Sequence, residues 1–286
     1  MPLRSYIELM KLRIGLMVAL MAVMGYVAVA QKIDAKALVL LALAMLLGSA
    51  SSSVFNHFYD RDIDKLMART SNRPLTKASN RNPAHVLWFA GALLIAGCGL
   101  ALFCFNIVVA LHLFLGAFFY AIVYTVWLKR RHWINIVIGG AAGSFAVLAG
   151  GAAVDPSHWL LPFLLSVTLF LWTPSHFWAL AILLKDDYAA AHVPMLPVVK
   201  GVPATAKAIF INTVLLVGST FLPLAFHEMG LIYGLGAAAL GAWFTWDCWR
   251  LLKNPDRLVA RRVFFDSMIY LVGLFIAVLV DVNVTL

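Results

Sequence analysis

Long stretches of the chain contain no Asp, Glu, Lys or Arg, and they alternate with short polar segments throughout the 286 residues. A helix needs about 20 consecutive apolar residues to cross the hydrocarbon core of a bilayer. The longest charge-free stretch, residues 82–128, is long enough for two helices with a break near Phe105 and Asn106. The pattern predicts nine transmembrane helices, at residues 13–30, 37–57, 84–104, 107–128, 134–153, 159–184, 208–226, 230–248 and 263–280.

The amino-acid composition also indicates an integral membrane protein. Hydrophobic residues make up 63% of the chain and charged residues 12%, and the mean hydropathy is +0.91. A soluble globular domain is about half apolar and about a quarter charged, so this composition excludes one. It also excludes disordered, collagen-like and disulfide-stapled chains, and the three cysteines show no metal-binding spacing. We therefore expect an all-α, polytopic membrane protein with a single domain over residues 1–286.

The distribution of basic residues supports this helix count. With a cytoplasmic N-terminus, 20 of the 22 Lys and Arg residues fall in cytoplasmic segments, and only Lys32 and Lys36 fall outside. The net charge of +9 is then mostly a topology signal, and no nucleic-acid partner is expected. The first apolar run is longer than the core of a usual signal peptide, so we expect a retained first helix. No transit peptide is evident, and a bacterial inner membrane is the expected location.

Two clusters of acidic residues lie at the predicted cytoplasmic ends of the second and sixth helices. Ionisable groups beside the bilayer are costly and are usually functional. In the first cluster, Asn56, Asp60 and Asp64 stand at i, i+4 and i+8, so their directions on a helix fan over only about 80°. An amide and two carboxylates that face one cavity repel each other unless a cation lies between them. Oxygen ligands of this kind suit Mg²⁺.

Other interpretations of the first cluster are weaker. An EF-hand loop that starts at Asp60 would need Gly in place of Lys65 and Glu in place of Ser71. A di-metal or proton-relay site would place its carboxylates at the membrane midplane, and these lie at the cytoplasmic helix ends. A solvated polar loop remains open as an alternative. Asp62 points away from the motif on a helix, and we expect it to pair locally with Arg61 or Lys65.

A basic segment follows the first acidic cluster. Beside a carboxylate-bound Mg²⁺ it would form the second half of a diphosphate site. The metal bridges some of the phosphate oxygens, and Arg guanidinium groups bind the remaining oxygens through two parallel hydrogen bonds each. No GxxxxGK[ST] loop is present, which argues against a nucleoside triphosphate. The candidate diphosphate-binding residues are Arg69, Arg73 and Lys77, with Lys129 and Arg130 of a loop on the same side.

The second acidic cluster consists of Asp186 and Asp187 and continues into Tyr188. Adjacent residues of a helix point in different directions, so at most one of the two carboxylates can be a close metal ligand. We assign the catalytic role to Asp187 and expect Tyr188 to orient a ligand beside it. Four residues beyond the two acids stand Ala190 and Ala191, so no second DxxxD motif is present.

The two acidic clusters, with the residues around them, resemble the UbiA-type intramembrane prenyltransferases. The resemblance is carried by the NxxxDxxxD motif at residues 56–64 and by the RTSNRPL segment at residues 69–75, and it covers essentially the whole chain. Within that superfamily, TPSHFW at residues 173–178 and VPMLPVV at residues 193–199 are similar to the haem O synthase branch. Many members of the wider superfamily carry a second DxxxD motif after the sixth helix, so a second metal ion is in doubt here.

The resemblance implies a ring of helices around a central cavity with cytoplasmic cap loops. It also implies Mg²⁺-dependent transfer of a farnesyl group from farnesyl diphosphate to a vinyl group of haem B, with haem B as substrate and Mg²⁺ as cofactor. His176 is then the candidate haem contact, with Tyr188 and Asn135 as further acceptor-binding candidates in the cavity. A haem A synthase or a terminal-oxidase assembly is the implied partner.

Two alternatives remain open from the sequence. A prenyltransferase that acts on another aromatic acceptor, such as 4-hydroxybenzoate, would use the same chemistry, although the missing second DxxxD motif argues against it. A non-catalytic haem or lipid transporter would carry ionisable groups along a pathway at the membrane midplane, which the central helices lack.

Overall fold

The structure is a computed structural model that describes residues 2–30, 32–77 and 83–285. In this part of the chain all regular secondary structure is helical, which confirms the predicted all-α class. The elements are α1 Leu3–Leu9, α2 Leu12–Val29, α3 Ala35–Tyr59, α4 Arg61–Asp64, α5 Pro74–Lys77, α6 Ala84–Cys104, α7 Ile107–Phe118, the π-helix Phe119–Leu128, α8 Asn135–Gly139, α9 Ala141–Val154, α10 Leu160–Leu183, α11 Lys185–Ala190, α12 Leu196–Val199, α13 Gly201–Thr220, α14 Leu222–Ala225, α15 Leu231–Lys253 and α16 Arg257–Thr285.

Eight segments of the described chain are long and apolar enough to cross a membrane. They contain α2, α3, α6, α7 with the π-helix, α8 with α9, α10, α13 with α14, and α16. The remaining predicted span is present as α15, a helix of 23 residues that packs between α13 and α16. Its tryptophans, its glycines and Asp247 lower its hydropathy, so it falls outside the eight.

Two of the long helices begin earlier than the charge-free stretches predict. α13 begins at Gly201 instead of residue 208, and α16 begins at Arg257 instead of residue 263. The prediction stopped at charged residues such as Lys207. Long basic side chains extend from a helix into the interfacial region, so the helix itself continues past the hydrocarbon core.

The long helices form two groups that meet around a common interior. α2, α3, α6, α7 and α9 pack together, and α10, α13, α15 and α16 pack together. The groups join where α10 packs on α9 and where α16 packs on α2. This arrangement leaves a space between α2, α3, the π-helix, α9 and α10, in which the candidate site lies.

Two glycines bring the backbones of α2 and α9 into contact. A Cβ atom added at Gly150 would lie 1.9 Å from the carbonyl oxygen of Ala22, and one added at Gly25 would lie 2.0 Å from the carbonyl oxygen of Val147. Small residues permit such close approach of helices in membranes, where van der Waals packing replaces the hydrophobic effect. The wall of the interior space is therefore fixed at this seam.

Candidate active site

A large cavity lies between the helices, with a volume of about 1010 Å³. Small and apolar side chains of α3, α7, α9 and α10 form a large part of its lining. Polar residues line the end where these helices terminate: Asn56 near the end of α3, Asp64 in α4, and Lys129 directly after the π-helix. The cavity therefore joins a charged end, on the predicted cytoplasmic side, to an apolar interior.

The first acidic motif keeps the spacing of a helix although α3 ends within it. α3 ends at Tyr59, and α4 begins one residue after Asp60. The N–H of Asp60 donates to the carbonyl of Asn56 at 2.9 Å, and the N–H of Asp64 donates to the carbonyl of Asp60 at 2.8 Å. All three motif side chains are buried, with exposed fractions of 3%, 0% and 1% in chain order.

Asn56 and Asp60 contact each other directly, whereas Asp64 has a different partner. Asn56 Nδ2 donates to Asp60 Oδ2 at 2.7 Å. Arg73 donates to Asp64 Oδ2 at 2.6 Å, while Asp64 Oδ1 is buried without a hydrogen-bond partner among the described residues. Asn56 and Asp64 line the cavity, and Asp60 lies just behind that lining. The motif thus leaves one orphaned carboxylate oxygen next to the cavity.

Asp60 is bound by two cations of the loop that follows the π-helix. Lys129 Nζ donates to Asp60 Oδ2, and Arg130 lies 3.3 Å from Asp60 Oδ1. Arg130 also donates two hydrogen bonds of 2.7 Å to Asp62. Partial burial alone would raise the pKa of Asp62, but these hydrogen bonds hold it below its usual value. The prediction that Asp62 pairs with a sequence neighbour is wrong, because a residue 68 positions away is its partner.

Lys11 completes the polar end of the cavity. It separates α1 from α2 in a left-handed conformation with φ 47°, and its Nζ donates to Asn56 Oδ1 at 2.9 Å. Burial of the ammonium group, together with the nearby charges of Arg73 and Lys129, lowers the pKa of Lys11 to about 7. The sequence indicated only a topology role for this lysine, because a basic residue before a membrane span usually has no other one.

The polar end of the cavity carries an excess of positive charge. Arg130 contacts the site through Asp60, whereas Lys77 is exposed in α5 and lies outside the lining. Together with Lys11, the lining cations Arg69, Arg73 and Lys129 outnumber the two carboxylates of the motif. This end of the cavity therefore attracts a polyanion. Three of the five predicted diphosphate-binding residues line the cavity: Arg69, Arg73 and Lys129.

Of the second acidic cluster, only Tyr188 reaches the cavity. Tyr188 is 3% exposed, and burial raises its pKa. Asp187 accepts the backbone N–H of Ala68 at 3.2 Å, and Asp186 lies 3.9 Å from Arg257. Asp187 therefore ties α11 to the loop after α4, and its carboxylate lies outside the cavity lining.

Asn135 supports the loop of Lys129 from behind. Its Nδ2 donates to the carbonyl of Lys129 at 3.3 Å, and its Oδ1 is buried without a partner among the described residues. The structure thus places Asn135 outside the cavity lining, contrary to the expectation from the sequence. The first turn of α8 packs this side chain against the preceding loop instead.

His176 lines the cavity two turns before the end of α10. Its ring lies between those of Trp172 and Phe264, with centroid distances of 4.3 and 4.7 Å. Nδ1 is 2.7 Å from the hydroxyl of Ser267, which donates its only proton to the carbonyl of Phe264 at 2.6 Å. Nδ1 must then carry the imidazole proton, which leaves the lone pair of Nε2 free of protein partners in the described chain.

Sequence reasoning gave no role to His57, which lies in the cavity lining beside the motif. His57 is 3% exposed, and both of its ring nitrogens are buried without a hydrogen-bond partner among the described residues. Tyr120 and Tyr124 of the π-helix also line the cavity, with ring centroids 5.6 Å apart. The hydropathy pattern carries no signal for such residues, because it does not tell which face of an apolar helix turns inward.

The oxygen atoms of the motif fit a divalent metal of the Mg²⁺ type. The described chain has no group of three or more His, Cys, Asp or Glu side chains that would hold a metal, so an ion would rely on the amide and carboxylates of the motif. Asp64 Oδ1 is orphaned, and Asn56 Oδ1 already has a cation as partner. Mg²⁺ keeps several waters and shares substrate phosphate oxygens, so it needs only a few protein ligands.

Comparison with known proteins places this fold and site in one class. The model of the UbiA prenyltransferase family matches residues 14–278, and the chain belongs to that family. A particular relative is very similar over its whole length. The chain is 58% identical to protoheme IX farnesyltransferase 1 of Paramagnetospirillum magneticum over 281 residues, which cover 98% of this chain and 99% of the relative. The resemblance drawn from the motifs is therefore confirmed.

Two solved structures share the fold. A digeranylgeranylglyceryl phosphate synthase superimposes with a TM-score of 0.82 at 22% identity, covering 98% of each chain. A UbiA homologue from Archaeoglobus fulgidus bound to DMAPP and Mg²⁺ superimposes with a TM-score of 0.73 at 17% identity, covering 96% of this chain and 99% of the other. At these identities the similarity supports the architecture of the helices alone.

Proposed function

We propose that this protein transfers the farnesyl group of farnesyl diphosphate to a vinyl group of haem B in the presence of Mg²⁺, giving haem O and diphosphate. Membership of the prenyltransferase family and the high identity to a protoheme IX farnesyltransferase support this reaction. One structural observation carries it. A buried amide and carboxylate motif, surrounded by Lys and Arg, stands at the end of a large cavity that is otherwise mostly apolar.

The polar end of the cavity is suited to a departing diphosphate. Mg²⁺, when bound by Asn56, Asp60 and Asp64, supplies the Lewis acid that neutralises the leaving group. The basic side chains are positioned before the substrate arrives, so they stabilise the developing negative charge without reorganisation. We assign oxygen binding to Lys11, Arg69, Arg73 and Lys129, with Arg130 and Lys77 as flanking charges.

The proposed reaction is balanced by a water molecule. The bond between farnesyl C1 and the diphosphate oxygen breaks, and C1 bonds to the terminal carbon of the vinyl group. Diphosphate leaves with the electron pair, and water then adds to the resulting cation on the haem side chain and loses a proton. The apolar lining keeps water scarce around C1 until that step.

The geometry of His176 supports haem binding in the same cavity. A neutral imidazole with one nitrogen held and the other free is the form that binds a metal such as haem iron. Ser267 selects this form by accepting the proton of Nδ1. Tyr188 offers a buried hydroxyl to the acceptor or the diphosphate, while Asp187 and Asn135 act by supporting the loops around the site.

We also propose that the protein is a single domain over residues 1–286 in a bacterial inner membrane, with the motif facing the cytoplasm. The predominance of Lys and Arg on the side of the motif supports this orientation. Haem O carries an apolar chain and stays in the bilayer, so a membrane-bound haem A synthase or terminal-oxidase assembly is the proposed receiver.

Substitution of Asp64 tests the proposal. Asp64→Asn removes the negative charge of the carboxylate that contains the orphaned oxygen, and we expect the transfer rate to fall by about 100-fold or more. Asp155→Asn is the matched control, because Asp155 is a partly exposed acid that accepts hydrogen bonds from Ser157 outside the cavity. The assay uses detergent-purified protein with farnesyl diphosphate, haem B and Mg²⁺, and it records diphosphate release and the mass of the product haem.

The outcomes separate the competing functions. A wild-type rate in Asp64→Asn would contradict the metal assignment. If diphosphate is released with 4-hydroxybenzoate but not with haem, the acceptor is 4-hydroxybenzoate and not haem B. If the wild type and Asp64→Asn move haem across vesicle membranes at equal rates and form no product, the protein is a transporter.

A further inference from the structure

The π-helix brings the hydroxyl of Thr125 to the acidic motif. Its wider turns pair each N–H with the carbonyl five residues earlier, as Lys129 does with Tyr124 at 2.8 Å. Thr125 is fully buried, and its Oγ1 donates to the carbonyl of Tyr120 at 2.8 Å, also five residues earlier. The single proton of this hydroxyl is thereby used, so the oxygen can only accept hydrogen bonds from other groups.

The partner that the hydroxyl accepts from is Asn56 of α3. Asn56 Nδ2 donates to Thr125 Oγ1 at 3.2 Å and to Asp60 Oδ2 at 2.7 Å. Both partners are acceptors only, so both amide protons are used and the nitrogen must face them. The amide oxygen then points the other way, where Lys11 donates to it at 2.9 Å. The network thus defines the orientation of the amide without ambiguity.

This orientation matters because only the oxygen of an amide binds Mg²⁺. Asn56 lines the cavity, and its oxygen already accepts from a cationic group there. If the amide turned over, it would present its NH2 group in place of the oxygen, and that nitrogen has no lone pair available for a metal. Thr125 is not among the cavity-lining residues, so it acts on the site only through Asn56.

We infer that Thr125 is a positioning residue of the metal site: by accepting a hydrogen bond from Asn56 it helps to hold the amide nitrogen toward Asp60, so that the amide oxygen faces the ammonium of Lys11 and is the atom that would bind Mg²⁺. The inference rests on the proposed function and adds to it a residue in the apolar π-helix. Partners of this kind orient the ligands of a metal, and their loss typically weakens metal binding by about 10–100-fold.

The experiment compares variants that keep or remove the acceptor. Thr125→Val has nearly the shape of Thr but no hydroxyl, whereas Thr125→Ser keeps the hydroxyl. The control is Thr205→Val, because Thr205 is also fully buried in a helix and donates only to a carbonyl four residues earlier, away from the cavity. Mn²⁺ serves as the probe, and its binding to the detergent-purified protein is titrated by electron paramagnetic resonance.

We expect Thr125→Val to raise the Mn²⁺ dissociation constant by about 10–100-fold, with Thr125→Ser and Thr205→Val close to wild type. In turnover assays the Mg²⁺ concentration for half-maximal rate should rise by the same factor in Thr125→Val, and saturating Mg²⁺ should restore most of the rate. A structural role alone would lower the amount of folded protein and leave the metal dependence unchanged. If Thr125→Val does not fold, Thr125→Cys supplies the comparison, because sulfur is only a weak acceptor.

Wild-type Mn²⁺ binding in the folded Val or Cys variant would overturn the inference. Mn²⁺ binding by Asp64→Asn, measured in the same way, distinguishes that result from a failure of the proposed function. If Asp64→Asn loses Mn²⁺ and Thr125→Val does not, the metal site stands and only the role of Thr125 is wrong. If wild type and Asp64→Asn bind Mn²⁺ equally, the metal site itself is wrong, and with it the role of Thr125.

Discussion

Lys11 shows how one side chain can connect the topology of the protein to its chemistry. As a basic residue before α2 it belongs to the charge pattern that predicts a cytoplasmic N-terminus. Its left-handed backbone also ends α1 and lets the ammonium group reach Asn56 in α3. A buried ammonium with a pKa near 7 regains its full charge when an anion binds beside it.

Replacement of Lys11 should therefore weaken substrate binding. A hydrogen bond to a charged group contributes about 1.5–3 kcal/mol, so we expect Lys11→Gln to raise the KM for farnesyl diphosphate about 10-fold or more. Lys32→Gln is the matched control, because Lys32 is an exposed lysine beyond the other end of α2. An unchanged KM in steady-state assays of Lys11→Gln would limit this lysine to its role in topology.

At the scale of single residues, the positions of the motif residues were predictable from the sequence, and their hydrogen-bond and ion-pair partners were not. The spacing of Asn56, Asp60 and Asp64 places them together in any helical conformation, and the structure preserves that spacing across the junction at Asp60. Asp62 pairs with Arg130 and not with a neighbour, because the end of the π-helix lies beside α3. Such contacts depend on how distant helices pack, which a local pattern does not contain.

Among the helices, α2 and α9 approach each other closely at the seam of Gly25 and Gly150. At this seam a backbone carbonyl occupies the space that a side chain would need. A side chain at either glycine would push the two helices apart, and the part of the cavity wall that α9 forms would move with them.

A single methyl group at this seam should destabilise the protein. Gly150→Ala would place its Cβ 1.9 Å from the carbonyl oxygen of Ala22, so the helices must separate. We expect a loss of about 1–3 kcal/mol, the usual cost of overpacking, seen as a lower melting temperature in detergent. Gly99→Ala in α6 is the control, because no atom lies within 4 Å of its added Cβ. Equal melting temperatures of the two variants would contradict the close contact.

The existence of the long helices was predictable from charge-free stretches, whereas their finer structure was not. The sequence of residues 119–128 is as apolar as that of an ordinary α-helix, so it gives no sign of a π-helix. The α15 span shows the opposite case: its hydropathy is marginal, yet the charge alternation already required a helix there. Helix ends are uncertain because charged residues continue a helix beyond the hydrocarbon core.

At the scale of the whole molecule, charge is distributed very unequally between the two ends of the helices. The buried motif and its cations lie at one end, together with most of the basic residues of the loops. Under the proposed function, the same residues would orient the chain in the membrane and attract the anionic substrate.

This orientation can be measured with single cysteines. In a Cys104→Ser background, we expect Ser157→Cys to react with a membrane-impermeant maleimide in intact bacterial cells. Asn254→Cys, between α15 and α16, should react only after the cells are permeabilised, because it is predicted to lie on the cytoplasmic side. The reverse labelling pattern would place the motif on the outer face.

The buried acids of the site are already balanced by ammonium and guanidinium groups of the same polypeptide. A freshly inserted chain can consequently mature without any inorganic ion, unlike proteins whose fold depends on zinc. Under the proposed function, a divalent ion would bind together with each diphosphate and leave with it, and it would not be needed to hold the fold. Shortage of magnesium in the cell would slow such a catalyst without sending it to degradation.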